Sequence, residues 1–267
     1  MVKYFYLFKL AWMERMAYRV NFFMEILSGI FSSLIVIFLW IAIYRYSGRE
    51  SLGDYKLQEM VTYLIGGGLI NSFILTTAEN PETSQNIQDG TLSTFLIKPL
   101  NPYGVWLSRD LGHKAFFFLL GLIGYGFVSV FFKDYILGFH SWTYFLVFLF
   151  SLLSAAFLQF LIFESFSLLS FWIENTYGIR FTMRVIMEIA AGAIIPLSFF
   201  PKILNEIFLF LPFSYLIYYP MNIYLGKVTS EEIFLMFLKQ GVWVIGLVLL
   251  NLMILKKGIR QYVAMGD

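Results

Sequence analysis

The chain has 267 residues, of which 59% are hydrophobic, 20% aromatic and only 13% charged. Soluble domains carry about a quarter charged residues, so this balance belongs in lipid. A net charge of +2 gives no electrostatic footprint for nucleic acid, and the absence of cysteine excludes disulfides, thiolate metal sites and a thiol nucleophile.

Residues 1–25 read as an amphipathic helix lying on the cytoplasmic membrane surface, in contact with lipid. At helical spacing, Trp12, Met13, Met16, Ala17, Val20, Phe23 and Met24 share one face. Glu14, Arg15, Tyr18, Arg19, Asn21 and Glu25 share the other, and two such faces suit an interface. The first long apolar run begins near Ile26 and is too long for the core of a signal peptide, so it reads as a retained anchor.

A helix needs about 20 apolar residues to cross the hydrocarbon core. Ile26–Tyr44, Met60–Ala78, Ala115–Phe132 and Ser141–Phe163 meet that need without a charge. Ile233–Leu255 meets it too, with Lys239 near enough to one end to snorkel. Between them the pattern breaks: Val185–Phe200 holds Glu188 and Pro196, and Ile207–Gly226 holds Pro212 and Pro220. Two full spans there would make seven in all and place the termini on opposite sides. One span and a re-entrant pair would make six, with the termini together. With six, the inner segments hold twelve of the Lys and Arg residues and the outer segments seven, and both chain ends are basic. Cytoplasmic loops are enriched in these residues, so six spans with both termini cytoplasmic is the expected topology. The region 201–232 is then an outer re-entrant helical pair, covered by other spans because proline-broken backbone is tolerated at membrane depth only where protein or water covers it. The fold expected is an all-α integral membrane protein forming a single domain over 1–267. It has six transmembrane helices, the N-terminal interfacial helix, a helical segment at 79–114 between spans two and three, and the outer pair between spans five and six.

The polar stretch from Glu79 to Pro102 is longer than a simple connection requires. Asn80-Pro81 predicts an N-cap followed by proline in the first turn, with Glu79 and Glu82 at the positive end of that helix. Gly90 suits its C-terminal stop. Leu92, Phe95 and Leu96, spaced i, i+3, i+4, predict the apolar face of a second short helix, which Lys98-Pro99 ends. Asn101-Pro102 turns the chain into Tyr103–Lys114, which leads to the third span. That face either lies on the membrane surface or fills a cleft on a partner in water.

Inside the spans, Gly66-Gly67-Gly68, Gly121 and Gly124-Tyr125-Gly126 suit close helix packing, because small residues let membrane helices approach. Glu164, Glu188 and Asn71 stand out, since ionisable and strongly polar groups are expensive there. Arg184 lies four residues before Glu188 and predicts an ion pair; Glu164 could face Arg180 across a turn. Asn71 has no charged neighbour and either bonds another helix or faces a transport path.

Three segments in order resemble one family. GTLSTFLIKPLNP (90–102) is similar to the motif after span two of ABC-2 type permeases, in their drug-exporter-like branch. IIPLSFFPKILNEIFLFLPFSYLIYYPMNIYLGK (194–227) resembles that family's outer region, and KKGIRQYVAMGD (256–267) its C-terminus. Together with the basic, aromatic start, the resemblance covers essentially the whole chain. It implies a transmembrane permease subunit of an ATP-binding-cassette exporter in a bacterial plasma membrane, moving substrate outward by alternating access. Its implied partners are a second permease chain, identical or related, and separate ATPase subunits. The coupling surface toward the ATPase would comprise Glu82, Ile87, Asp89, Gly90, Leu92, Phe95, Leu96, Lys98 and Pro99, beside Trp12, Glu14, Arg15 and Arg19 of the interfacial helix. Spans two and five would line the path, which singles out Asn71 and Glu188.

No phosphate-binding GxxxxGK[ST] loop is present, so no cofactor is expected in this chain and ATP-Mg would sit on the partner subunit. An intramembrane enzyme would need site chemistry, yet His113 and His140 fall near opposite membrane faces and no HExxH, GxSxG or carboxylate cluster occurs. An ATPase-independent scaffold or assembly factor is the alternative that composition allows; the segment at 79–114 argues against it.

Overall fold

Long apolar runs become helices because lipid offers no hydrogen-bond partner, so every backbone N–H and C=O must be satisfied within the segment. The structure is a computed structural model that describes residues 2–17, 19–78, 80–97 and 100–262, and within these all side chains except those of 19–23, 25, 26 and 96. Helix α1 (Val2–Ala17) precedes α2 (Arg19–Ser47), and a two-stranded hairpin follows, β1 (Ser51–Leu52) and β2 (Tyr55–Lys56), pairing Ser51 with Lys56 and Leu52 with Tyr55. Then come α3 (Leu57–Ile74), extended by a 3₁₀ turn to Thr77, α4 (Glu82–Gln88), α5 (Leu92–Ile97) and α6 (Pro102–Phe131). The chain continues through α7 (Trp142–Ser167), a 3₁₀ turn to Phe171, α8 (Tyr177–Ala190), α9 (Lys202–Phe210), α10 (Tyr218–Tyr224) and α11 (Ser230–Gln261).

Among the described residues five helical stretches, carried by α2, α3, α6, α7 and α11, are long and apolar enough to cross a membrane. A sixth is added if α9 with the segment 212–224, bent by 71°, counts as one span. The most apolar part of the α3 stretch is 67% buried inside the protein against 11% for α11, so α3 is the hub and α11 turns most of its surface outward. The core follows from this: Tyr63, Ile70 and Ile74 of α3 pack with Leu158 and Ile162 of α7 and Met187 of α8.

Contacts fix the direction of each helix. The hairpin marks one end of the molecule, where α2 stops and α3 starts. Asp134 and Tyr135, just beyond α6, accept hydrogen bonds from Gln58 and Thr62, and Tyr144, near the start of α7, bonds the carbonyl of Val228, just before α11. At the opposite end Arg109 of α6 meets Glu82, Thr83 meets Glu164 of α7, and Arg180 of α8 donates to the carbonyl of Asn80. Helix α11 ends there, with Gly258 against Phe171, and α1 lies beside the first turns of α6. Both described chain ends therefore lie at that end.

The predicted fifth span, Val185–Phe200, departs from expectation: it is not one helix. Helix α8 stops at Ala190, Gly192 adopts a φ of +76°, and turns occupy the chain up to Pro201. Fourteen helical residues rise about 21 Å, less than the roughly 30 Å hydrocarbon core. Pro196 and Pro201 prevent continuation, and the freed carbonyls are taken up by partners: Tyr63 donates to Gly192 at 2.7 Å and the Tyr218 amide to Ala191 at 3.0 Å. The helical pair expected over 201–232 is present as α9 and α10. Its flanks meet the same end of the molecule, with Phe199 packed on Tyr55 and Lys227 paired to Glu59 at 2.9 Å.

On either side of Tyr18, which lies outside the described residues, the N-terminal stretch is helical: α1 covers Val2–Ala17, and 19–25 are the first residues assigned to α2. Trp12 turns toward Phe116, edge to face at 5.5 Å, whereas Met13 and Met16 are exposed. The contact face runs Tyr4, Phe8, Ala11 and Trp12, against Gly104, Gly112 and Phe116 of α6. Tyr18 and the side chains of Arg19, Val20, Asn21, Phe23 and Glu25 lie outside the described residues.

Candidate functional site

Over 80–97 and 100–101 the chain folds close to what its punctuation predicts, except that α4 starts at Glu82, with Pro81 rather than Asn80 in the cap position. The side chain of Asn80 accepts from the Glu82 amide at 3.3 Å, Gly90 sits at a φ of +76°, and Asn101 caps α6 at 3.0 Å with Pro102 as its first residue. Because that cap opens one unbroken helix, Tyr103–Lys114 forms the first turns of α6, continuous with the third apolar run.

Its apolar face needs a correction. Leu92 is wholly buried and Ile87 nearly so, packed with Trp106 of α6 and with Phe160, Leu161 and Leu168 of α7. Phe95 rests half-buried on the same cluster. The i, i+3, i+4 pattern marks a face that seeks an apolar partner, and the chain's own helices supply it. Leu92 is therefore not free to enter a cleft elsewhere. What the segment presents outward includes Gln85, Asp89, Thr91, Thr94 and Ile97, the last 85% exposed. Glu79, Lys98, Pro99 and the Leu96 side chain lie outside the described residues.

Charge stitches this segment to its neighbours. Arg109 pairs with Glu14 of α1 at 2.7 Å and, through its Nε, with Glu82 of α4, so one guanidinium joins three helices. His113 sits between Asn80, 3.4 Å away, and Glu14, 3.9 Å away. Lys114 is fully buried and paired with Asp110 one turn back, and it also donates to the Ala156 carbonyl at 3.3 Å. Glu164 accepts from Thr83 at 3.1 Å, and Arg180 reaches the Asn80 carbonyl, so both approach the segment 80–83 from α7 and α8. The Asp110–Lys114 pair is legible in sequence as an i, i+4 couple; Glu14–Arg109–Glu82 joins positions too far apart in sequence for local spacing to reveal.

Away from this network lies a cavity of about 680 Å³ bounded by α1, α2, α3, α6 and α8. Asn71 and Arg184 both line it, and Arg184 pairs with Glu188 at 3.3 Å as its spacing predicts. Of the two path candidates, Asn71 lines this cavity and Glu188 does not; Glu188 only pairs with Arg184, which does. The Asn71 Oδ1 is buried there without a hydrogen-bond partner among the described residues. Gly66, Gly68 and Gly121 pack closely, since a Cβ on Gly66 would fall 2.7 Å from Met221, one on Gly68 would strike the Tyr125 ring and one on Gly121 would strike Ser72. By contrast, a Cβ on Gly67 would make only ordinary contacts, and one on Gly126 would have no described neighbour within 4 Å. Among the described residues no group of His, Asp or Glu could hold a metal ion.

No curated protein matches the chain significantly. The family described as "ABC-2 family transporter protein" matches residues 21–266, nearly the whole length and every element from α2 to α11, and the chain belongs to that family.

Proposed function

We propose that the chain is the membrane subunit of an ATP-driven exporter, working by alternating access in the plasma membrane of a bacterial cell, as one of two permease chains. Its family is that of permease components of ABC transporters, membrane subunits that partner an ABC ATPase and have no ATPase site of their own. ATP and magnesium belong to that partner. The observation that carries the reading further is the fixed presentation of 82–97. Ile87 and Leu92 root the segment in the helices behind it, and Glu82–Arg109–Glu14 ties it to α1, leaving Gln85, Asp89, Thr91, Thr94 and Ile97 on the outside. A push on this surface moves α6 and α7 directly, as a coupling device requires.

The end carrying 80–101 is then cytoplasmic, with both termini, and the first turns of α6 and α1 lie together at the membrane boundary. The helical pair α9–α10 enters from the outer side and returns to it, and the fifth passage is made by α8, too short to cross alone, together with the turns of 191–200 that reach Tyr55. The cavity beside Asn71 is the transport path. The exposed apolar faces of α2 and α8, including Phe31, Ile35, Phe181 and Val185, suit lipid and the second permease chain.

Affinity purification of the tagged chain from its native membrane tests the coupling role. The wild type should bring down an ATP-binding-cassette ATPase, and Ile97→Asp should lose it while remaining folded and in the membrane. Phe95→Ala is a poorer probe because it also removes packing on the internal cluster. Failure of the wild type to capture any ATPase, or full capture by Ile97→Asp, would refute this surface.

A further inference from the structure

We infer that the cavity between α1, α2, α3, α6 and α8 receives an amphiphile with an anionic head, the head at Arg15 and the apolar body running toward Tyr125. The inference rests on the transport reading for the ligand's fate, but its binding does not depend on the ATPase.

The charge of the lining points to an anion. Arg15 and Arg184 both line the cavity, and among the described residues no carboxylate does. Arg184 is engaged by Glu188. Arg15 has no carboxylate partner among the described residues; its guanidinium lies 5.6 Å over the face of Phe117. A cation stacked on an aromatic face keeps its charge and its outward N–H donors for a ligand. The neighbouring acid, Glu14, is held by Arg109 and does not neutralise it.

The rest of the lining calls for an apolar body. Tyr125 is eight residues beyond Phe117 on α6, which places it about 12 Å nearer the hairpin end. Its hydroxyl is occupied by Ser33 at 3.1 Å, so it offers the cavity a ring more than a polar group. Gly29 faces the same space, and a Cβ there would meet only the Tyr125 hydroxyl, at 3.9 Å. Asn71 supplies a polar point along the way, its Oδ1 buried and unpartnered. A volume of about 680 Å³ falls within the few hundred to about 1,000 Å³ usual for small-molecule sites. A single anionic group, a slender apolar body and one mid-length donor for Asn71 would satisfy every one of these features. Such a molecule could be a soluble acid or an anionic lipid.

The test uses the full-length chain in dodecyl maltoside and the fluorescent acid dansylaminoundecanoic acid, with its methyl ester as the uncharged control. The acid should bind, and the ester at least about tenfold more weakly, as expected when a charged hydrogen-bond partner is lost. Arg15→Gln should weaken the acid by a similar factor, Arg15→Lys should retain most binding, and Gly29→Leu should exclude the probe by filling the space beside Tyr125. Gel filtration verifies that each variant is folded, and the charge variants decide the matter if Gly29→Leu is not. Equal binding of acid and ester, or wild-type binding by Arg15→Gln, overturns the inference. Repeating the titration in nanodiscs identifies the source: competition by added phosphatidylglycerol in a phosphatidylcholine background assigns a lipid, and its absence assigns a soluble amphiphile. A chain that captures its ATPase yet binds acid and ester alike fails this inference alone; one that binds the acid selectively but captures no ATPase fails only the coupling reading.

Discussion

The two ends of the molecule are closed by different chemistry. At the hairpin end neutral tyrosine hydroxyls predominate beside the Lys227–Glu59 ion pair: Tyr44 donates to the Tyr55 carbonyl, Tyr55 to Asn222 and Tyr63 to the Gly192 carbonyl, all at 2.7 Å, and Tyr224 donates to the Leu137 carbonyl at 3.0 Å. At the opposite end ion pairs predominate, with Arg109 between Glu14 and Glu82 and Lys114 beside Asp110. A buried neutral hydrogen bond holds one geometry and is indifferent to salt. Partly exposed ion pairs contribute little stability each and are screened, so they can be exchanged for water at small cost. The hairpin end holds irregular backbone with bonds that fix one geometry; at the other end the partly exposed Arg109 bridge is the more easily exchanged contact.

The largest expected effect tests whether every ion pair belongs to the exchangeable class. Lys114 is fully buried, so Lys114→Ala would strand Asp110 without a partner and should destabilise the protein by about 3–5 kcal/mol, seen as a large fall in Tm. The double variant Lys114→Met with Asp110→Leu should recover most of the loss, because matched apolar residues replace a buried pair at little cost. A mild effect of the single change would place this pair with the exchangeable ones.

Next comes the hairpin end. Tyr55 is 1% exposed, burial raises its phenol above the ordinary range, and it acts as a neutral donor to Asn222. Tyr55→Phe should cost about 1–3 kcal/mol, the penalty of an unsatisfied buried acceptor. The fall in Tm should be the same at low and high salt; a salt-dependent loss would contradict the neutral-clamp description.

How much of this was readable in sequence depended on the range of the interactions. Four of the five long helices follow from uncharged runs and α11 from a run holding one charge, Lys239, and the helix starts near 82 and at 102 from Asn-Pro pairs whose effect is local. Arg184–Glu188 follows from spacing. The tyrosine clamps and the Arg109 bridge join residues far apart along the chain, and nothing in local pattern announces them. Leu92 shows a third case: its periodicity revealed an apolar face without revealing what that face touches. In the fifth run Pro196 marks a break in the pattern, but local sequence does not show that the helix already stops at Ala190, where Gly192 takes a positive φ and Tyr63 and Tyr218 satisfy the freed carbonyls.

A smaller effect lies at the joint between α4 and α5. Gly90 has a φ of +76°, so Gly90→Ala should cost about 1–2 kcal/mol through backbone conformation alone. The consequence should be local, with faster proteolysis within 82–97 and weaker ATPase capture while the Tm of the bundle barely changes. Unaltered proteolysis would mean that the joint adapts without strain.

The smallest effect on stability is also the sharpest test of the comparison. Side chains of Arg109, Glu82 and Glu14 are 16%, 20% and 43% exposed, so the bridge is partly hydrated. Arg109→Gln should lower stability by only about 1 kcal/mol, in keeping with partly exposed ion pairs. Its effect should instead appear as loosening of α1, whose only charged tie to α6 among the described residues, apart from the longer His113 approach, is this arginine. Amide hydrogen exchange across α1 reads this directly. In the wild type, raising the salt should speed exchange in α1 toward the rate of the variant, because screening and substitution remove the same interaction. In Arg109→Gln the same rise in salt should do little, since no bridge is left to screen. Equal salt sensitivity in both proteins would show that packing of Trp12 on Phe116, not charge, holds α1 in place, and the contrast between a neutral end and a charged end would then lose its mechanical meaning.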